Sequence, residues 1–246
     1  MRIESLFKSS ALLLSASAIL IASVAVLDAA PKKRGPRPQL AQIEDQEGLP
    51  RVLLIGDSIS IGYTLPVREK LAGKANVHRP PTNCGPTTKG LEEIDGWLDT
   101  GGKGKSWDVI HFNWGLHDLK YMGPDGQNLA APHGEDSRQQ VPPREYRENL
   151  ERLVERLQAT DATLIWRNTT PVPEGAAGRV PGDAAKYNLI AAEVMDEAGI
   201  EVHDLYSFAK ERESEIQREA NVHYTDEGSE KLAGEVARVI LNALGR

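Results

Sequence analysis

Ser58 is the side chain of this chain best placed to act as a nucleophile. It follows an unbroken apolar run from Val52 to Ile55 and the pair Gly56-Asp57. Such a run predicts a parallel strand covered on both faces, and Gly56 allows a sharp exit from it. Side chains just beyond the carboxyl end of that strand face the ligand crevice of an open α/β sheet. Capping of the following helix is an alternative role for Ser58.

A serine hydroxyl needs a base to accept its proton, so the six histidines of the chain are the next candidates. His223 stands just before a helix that Thr225 or Asp226 would cap, a position that makes a base both exposed and oriented. His117 follows the third predicted strand. The other histidines are expected in structural roles or in a polar loop: His78, His111, His133 and His203.

Strand-like and helix-like segments alternate along the chain, which predicts a parallel sheet with right-handed crossovers. The expected fold class is α/β, a three-layer α/β/α sandwich with about five parallel strands. Two long connections, residues 114–143 and 170–182, follow strand ends and are candidate walls of the site. Predicted strands cover residues 52–55, 75–78, 107–113, 162–169 and 200–203; predicted helices cover 59–71 (interrupted at Pro66), 90–98, 144–158, 183–197, 206–216 and 226–244.

The net charge and the cysteine content exclude one class of ligand and one kind of covalent cross-link. The net charge of −7 at pH 7 argues against nucleic acid as a ligand. Cys84 is the only cysteine, so no intramolecular disulfide forms. A free thiol in the site is one reading of Cys84, and a small buried apolar residue is the favoured one.

The first 25 residues have the pattern of a secretory signal peptide, with Arg2 and Lys8 before an apolar stretch and small residues at a cleavage site after Ala25. Residues 26–50 lack apolar periodicity and are interpreted as a linker, and residues 51–246 as the folded domain. This organisation predicts a secreted or periplasmic protein with bacterial-type export. The alternative is an uncleaved anchor, which would be the protein's contact with a membrane.

Four short motifs, in this order and spacing, resemble the sequence blocks of SGNH (GDSL-type) hydrolases. They are Gly56-Asp57-Ser58-Ile59, a glycine after the second strand, Gly115-Leu116-His117-Asp118 and Val222-His223-Tyr224-Thr225. The resemblance extends over nearly the whole domain, from Arg51 to Leu244. It implies a flavodoxin-like sandwich that hydrolyses esters without a cofactor or a metal.

The resemblance also implies residue roles. Ser58 would attack the acyl carbon, and His223 would take the hydroxyl proton and return it to the leaving alcohol. The oxyanion hole would combine the N–H of Ser58, the N–H of Gly85 (Gly90 as the alternative) and a side-chain donor at His117.

Two positions depart from the family pattern. His117 stands where an asparagine is usual, so its donor strength would depend on tautomer and pH. Ala220 stands where the family has the aspartate that orients the histidine. A backbone carbonyl, the side-chain oxygen of Asn221, or a carboxylate from elsewhere could replace that aspartate; the candidate carboxylates are Asp118, Asp204 and Glu219.

Relatives that deacetylate polysaccharides make a small or carbohydrate-borne acetyl ester the expected substrate. Trp114 and Tyr63 could stack on sugar rings, although core positions are the more common role of such aromatics. Two rival functions remain: a glycan-binding protein with a weakened site, and a metal-dependent hydrolase using His117, Asp118 and His223. The sequence indicates no oligomeric state.

Overall fold

The structure is a computed structural model that describes residues 37–246. The predicted signal peptide, residues 1–25, and the first part of the predicted linker lie outside the described residues. The strands are β1 Arg51–Ile55, β2 Asn76–His78, β3 Val109–Phe112, β4 Tyr121–Met122, β5 Arg138–Gln139, β6 Thr163–Arg167 and β7 Glu201–His203. The α-helices are α1 Ser58–Lys70, α2 Thr87–Leu98, α3 Pro143–Gln158, α4 Asp183–Glu197, α5 Leu205–Lys210, α6 Glu213–Ile216 and α7 Asp226–Ala243.

Five of the strands form one parallel sheet in the order β2-β1-β3-β6-β7. Leu53 of β1 pairs with His78 of β2 on one side and with Ile110 of β3 on the other. The chain leaves β1 towards one edge of the sheet and returns to build the other edge, so the strand order reverses between β1 and β3. Ligands of open α/β sheets bind at such a reversal, beyond the carboxyl ends of the strands.

Helices cover both faces of the sheet, which confirms the predicted α/β fold. Helices α1 and α7 pack against each other, whereas α2, α3 and α4 pack in sequence. The β1 run is completely buried, as its apolar character predicts. The apolar stripe of α3 is buried as well, including Tyr146, Leu150 and Leu153. No helix within residues 37–246 is long and apolar enough to span a membrane.

Residues 37–50 pack on the domain, whereas the sequence pattern assigned them to a linker and began the domain at Arg51. A 3-10 helix, Pro38–Leu40, lies against α1. Asp45 accepts hydrogen bonds from His78 Nε2 at 2.6 Å and from Lys105 Nζ at 2.6 Å. The side chain of Asn76 accepts a hydrogen bond from the main-chain N–H of Gln46 and donates one to the main-chain carbonyl of Gln46. Polar side chains hold this segment, so it carries no apolar periodicity that would predict it.

Two regions differ from the predicted elements. The long connection after β3 contains a two-stranded antiparallel ladder, β4 with β5. The single helix predicted over residues 206–216 is divided into α5 and α6, because the backbone leaves the helical region at Arg212 (φ −116°). Helix α1 continues through Pro66 to its end at Lys70, although a proline removes one helical N–H donor and crowds the carbonyl of the preceding turn.

Candidate active site

Ser58 occupies the first position of α1, directly beyond the carboxyl end of β1. The helix is capped by the preceding residue: the carboxylate of Asp57 accepts the N–H of Ile59 at 3.0 Å. The capping role considered for Ser58 therefore belongs to Asp57, and the Ser58 hydroxyl is available for another partner. The Ser58 N–H is one of the N–H groups at a helix start that find no acceptor within the helix.

His223 lies against Ser58 although 165 residues separate them in the chain. Its Nε2 is 2.8 Å from Ser58 Oγ. The His223 carbonyl accepts the N–H of Arg218 at 3.0 Å, which closes a tight loop before α7. Thr225 caps that helix by accepting the N–H of Gly228 at 2.9 Å. His223 is thus held between a hydrogen-bonded loop and the start of a rigid helix.

Asn221 fixes the orientation and the tautomer of the His223 ring. Its Oδ1 lies 2.7 Å from His223 Nδ1 and accepts the main-chain N–H of His223 at 3.0 Å. A main-chain N–H can only donate, so the atom that faces it is the amide oxygen. The same oxygen accepts a proton from Nδ1, which leaves the lone pair of Nε2 directed at Ser58. Ser58, His223 and Asn221 therefore form a continuous hydrogen-bonded relay.

Two carboxylates considered for the orienting role are engaged elsewhere. Asp118 Oδ1 accepts from the N–H of Thr87 at 2.8 Å and from its hydroxyl at 2.6 Å, which ties the third block to the start of α2. Asp204 caps α5 by accepting the N–H of Ser207 at 3.0 Å. Glu219 makes no hydrogen bond to His223. Ala220, at the family's aspartate position, has a left-handed backbone with φ 48°.

Of the predicted oxyanion donors, His117 is the one with a free ring. It is partly buried, and its imidazole makes no hydrogen bond to a described residue. The pKa of His117 is lowered to about 4, chiefly by burial; Asp57 opposes this effect, whereas Lys120, Arg179 and His223 add to it. The imidazole is therefore neutral at physiological pH and offers one N–H donor.

The two glycines considered as oxyanion donors after the second strand, Gly85 and Gly90, do not have a free N–H group. The Gly85 N–H is engaged, because it donates to Asn83 Oδ1 at 2.9 Å, and the residue has φ 62°. The neighbouring Cys84 N–H donates to Gly56 O at 3.3 Å, so this loop lies against the turn that contains Ser58. Gly90, the alternative, donates its N–H to Pro86 O within α2 and so supplies no free donor.

A cleft of about 190 Å³ opens beside the Ser58 and His223 pair. Gln39, from the segment before β1, forms part of its wall, together with Arg218 and Ser229. The remaining lining residues are Ile59, Gly62, Tyr224 and Asp226. Most of these side chains are polar, which suits a polar substrate better than a lipid chain.

Sequence and structure comparisons place these features in a known family. The profile of the GDSL-like lipase/acylhydrolase family matches residues 54–231. The chain belongs to this family. It is therefore a serine ester hydrolase of the SGNH type, as its motifs indicated. A comparison with curated protein sequences found no match.

Solved structures of the same fold include several SGNH hydrolases. An acetyl xylan esterase, AlAXEase, superposes with a TM-score of 0.60 at 15% identity, covering 77% of this chain and 99% of that one. A lipase/acylhydrolase from Enterococcus faecalis gives 0.60 at 19% identity, with 79% and 96% covered. Axe2, an acetylxylan esterase from Geobacillus stearothermophilus, gives 0.58 at 14%, with 85% and 97% covered.

Beneath Ser58 of this SGNH hydrolase lies a buried network that the sequence did not predict. Arg79 is completely buried and donates to Gly56 O at 3.2 Å and to Ser60 Oγ at 2.9 Å. Arg167, also completely buried, bonds Asn113 Oδ1 and lies 3.9 Å from Asp57. Each of these residues ends a strand or follows one, so their position at the carboxyl edge of the sheet was the available signal.

Three other residues considered for the site are buried in the core. Trp114 is completely buried and Tyr63 is 1% exposed, so both are core residues and neither is available to stack on a sugar. Cys84 is buried, as favoured, and burial raises the pKa of its thiol to about 11. Within residues 37–246, no group of three histidine, cysteine or acidic side chains is arranged to hold a metal ion.

Proposed function

We propose that this protein is an exported esterase that removes short acyl groups, acetyl foremost, from carbohydrate esters, with Ser58 as nucleophile and His223 as general base. The observation that carries the proposal is the 2.8 Å hydrogen bond between Ser58 Oγ and His223 Nε2, on a ring whose Nδ1 is held by Asn221. A nucleophile bonded to a base that is itself oriented by a third group is the arrangement of serine hydrolases.

In the proposed reaction, Ser58 Oγ attacks the carbonyl carbon of the ester while its proton passes to His223 Nε2. The Ser58 N–H and the His117 ring N–H would stabilise the resulting oxyanion. The C–O bond to the sugar then breaks, and His223 returns the proton to the leaving alcohol. In the second half of the reaction, water attacks the acyl carbon while His223 takes its proton. His223 then returns the proton to Ser58 Oγ as the acyl–oxygen bond breaks, which releases the carboxylic acid and the free serine.

Burial keeps the proposed base in its neutral form. It lowers the pKa of His223 from its usual value, while Asp57 acts in the opposite direction. The ring is therefore neutral near pH 7 and able to accept a proton. The Asp57 carboxylate, which is 2% exposed, lies where it favours the imidazolium formed during the reaction.

Substrate and location rest on separate arguments. Two structures of the same fold are named as acetyl xylan esterases, and the small polar cleft suits an acetylated sugar. Export rests on the signal-peptide pattern of residues 1–25. If the signal is removed after Ala25, the exported protein begins at Val26, which N-terminal sequencing of the protein recovered outside the cytoplasm would test.

The deciding experiment measures turnover of p-nitrophenyl acetate and of acetylated xylo-oligosaccharides. Ser58→Ala and His223→Ala are each expected to lower kcat by more than about 10³-fold, because both groups act as one unit. His133→Ala is the matched control and should keep wild-type rates, since His133 lies in the loop between β4 and β5. Full activity in His223→Ala would remove His223 from its proposed role. Sugar binding without turnover would favour the binding protein.

A further inference from the structure

Three cationic side chains around the site have no carboxylate partner, in a chain whose net charge is −7. They are Lys120, Arg179 and Arg218, and none of them forms an ion pair with any residue in the described part of the chain. Elsewhere in this part, most lysine and arginine side chains pair with an acidic neighbour, as Lys105 does with Asp45 at 2.6 Å. Lysines and arginines without an acidic partner also occur elsewhere in the described residues, Arg79 among them, but these three lie close to Ser58, His223 or His117.

Arg218 flanks the proposed base on one side. It lines the same cleft as Ser58 and His223. Its Nε donates to Tyr224 O at 3.0 Å, and its main-chain N–H donates to His223 O. The two terminal nitrogens of its guanidinium have no acceptor among the described residues. The backbone thus fixes Arg218 beside the cleft while part of its donor fork stays free.

Arg179 and Lys120 stand on the side of His117. Arg179 is partly buried and donates from Nε to the carbonyl of Leu116 at 2.9 Å, the residue before His117. Lys120 is only 9% exposed, and its ammonium donates to no described residue. The positive charges of Lys120 and Arg179 both lower the pKa of His117, and that of Arg179 also lowers the pKa of His223.

Two of these cations, Lys120 and Arg179, lose part of their hydration without gaining an ion pair, whereas Arg218 is exposed. Burial lowers the pKa of Lys120, and the nearby Arg179 lowers it further, whereas Asp118 opposes both. Asp118 Oδ1 accepts from Thr87 and Asp57 Oδ1 caps α1, whereas the second oxygen of each carboxylate has no hydrogen-bond partner among the described residues. Neither carboxylate forms an ion pair with Lys120, Arg179 or Arg218. Asp226, the carboxylate among the cleft residues, lies in the first turn of α7, where the helix dipole favours it.

We propose that the alcohol part of the substrate carries an anionic group, a carboxylate or a sulfate, that Lys120, Arg179 and Arg218 bind. The enzyme would then deacylate acidic sugars in preference to neutral ones. This inference rests on the proposed function: an acetyl group has no charge, so the anion must belong to the sugar. Guanidinium groups bind planar oxyanions through paired donors, and a compact ammonium adds a point charge.

The first test compares two substrates that differ in one charge. These are an O-acetylated methyl galacturonoside and its uncharged 6-carboxamide, with an acetylated sugar 6-sulfate as the arm that separates sulfate from carboxylate. We expect kcat/KM to be about tenfold higher for the preferred anion than for the carboxamide. Raising NaCl from about 50 mM to about 500 mM should reduce this ratio, because salt screens partly exposed charges.

The second test removes the cations one at a time in the full-length enzyme. Arg179→Gln, Arg218→Gln and Lys120→Met should each lower the ratio of anionic to uncharged kcat/KM about fivefold, whereas Arg179→Lys should keep most of it. Arg152→Gln, on the exposed side of α3, is the matched control and should keep both the ratio and the rates. If one variant fails to fold, the salt dependence of the wild-type ratio still decides.

The outcomes separate this inference from the proposed function. Equal kcat/KM for the charged and uncharged sugars, with p-nitrophenyl acetate turnover still lost in Ser58→Ala, would overturn the anion preference alone. An absence of any Ser58-dependent ester hydrolysis would instead overturn the proposed function. A ratio that is above one but unaffected by salt and by all three substitutions would assign the preference to other residues.

Discussion

Asn221 gives the His223 ring a neutral partner, whereas an aspartate would give it a charged one. The hydrogen bond from Nδ1 to Asn221 Oδ1 is 2.7 Å long, so it fixes the ring as well as a carboxylate would. It stabilises the imidazolium less, because hydrogen bonds to ionised acceptors are about twice as strong as those to neutral ones. The nearby Asp57 carboxylate supplies negative charge that favours the protonated ring through space.

Substitutions of Asn221 should separate orientation from charge. Asn221→Ala is expected to lower kcat about 10²-fold with little change in KM, because the ring loses its fixed geometry. Asn221→Asp should retain activity and raise the pKa of His223. The neutral base is the active form, so the acid limb of the kcat/KM profile should move to higher pH in Asn221→Asp. A wild-type kcat in Asn221→Ala would exclude Asn221 as a positioning residue.

His117 invites a test of the third oxyanion donor. With its pKa at about 4, the ring is neutral across the working range and donates from one nitrogen only. His117→Ala should raise the activation barrier by about 2.7 to 4 kcal/mol, the usual effect of removing one such donor. His117→Asn restores the family's usual amide and should recover most of the rate. Steady-state kcat for the two variants decides, and a change of less than threefold in His117→Ala would exclude the role.

At the scale of the elements, the proposed catalytic groups lie at the carboxyl edge of the sheet because each follows a strand or precedes or begins a helix there. Alternating patterns predicted the five strands and most helix bounds, including α4 in full, and the motif order predicted that Ser58 and His223 would meet. Gln39 and the residues around Asp45 were missed, since their contacts are polar and leave no periodic pattern. Asn221 could be selected among the alternatives only from coordinates, because the choice depends on a single backbone turn at Ala220.

Arg79 links the turn that contains Ser58 to the loop after β2. Its guanidinium bonds Gly56 O, the α1 side chains Ser60 and Thr64, and the carbonyl of Thr82, without a carboxylate partner. A buried fork of this kind cannot be replaced by lysine without losing donors. Arg79 therefore holds the start of α1 against the loop that leads to Gly85.

Replacing Arg79 should reduce both stability and kcat. Arg79→Met leaves several buried acceptors without a donor and is expected to lower the free energy of unfolding by about 3 kcal/mol or more. Arg79→Lys should have a stability between those of the wild type and Arg79→Met. Its kcat should fall while its KM changes little, because the turn that contains Ser58 is less fixed. Urea unfolding and steady-state kinetics measure the effects, with Arg152→Gln as the surface control. Wild-type kcat in a folded Arg79→Lys would limit Arg79 to stability.

Across the whole molecule, buried histidines make the fold sensitive to acid. His111 Nε2 and His203 Nδ1 are 3.1 Å apart between β3 and β7, and Arg167 is near both. Burial lowers the pKa of His203 to about 4 and that of His111 well below its usual value; Glu235 and Asp204 oppose this at His203. In this hydrogen bond one ring nitrogen donates and the other accepts, and a second proton on either ring would leave a buried positive charge unpaired.

The sign of the effect follows from proton binding. In the unfolded chain a histidine has a pKa near 6.5, so between about pH 6.5 and 4 the unfolded state binds more protons than the folded state, and stability falls as the pH falls. For His203 the loss is about 3 kcal/mol once the pH reaches 4. Asp118 acts in the opposite sense, because burial raises its pKa to about 7 and its contribution to stability is lost as the pH rises through that value.

A variant without the histidine pair separates the contribution of the two histidines to acid stability from the opposite contribution of Asp118. In His111→Leu/His203→Leu, the free energy of unfolding should depend less on pH between 6.5 and 4 than in the wild type, with the curves converging or crossing towards acid. Urea unfolding at fixed pH steps measures the two slopes. His133→Gln, which removes the histidine of the β4 and β5 loop, should keep the wild-type slope. Parallel pH profiles for the wild type and the double variant would show that this pair does not control acid stability, because any proton uptake specific to unfolding would have to occur at other groups.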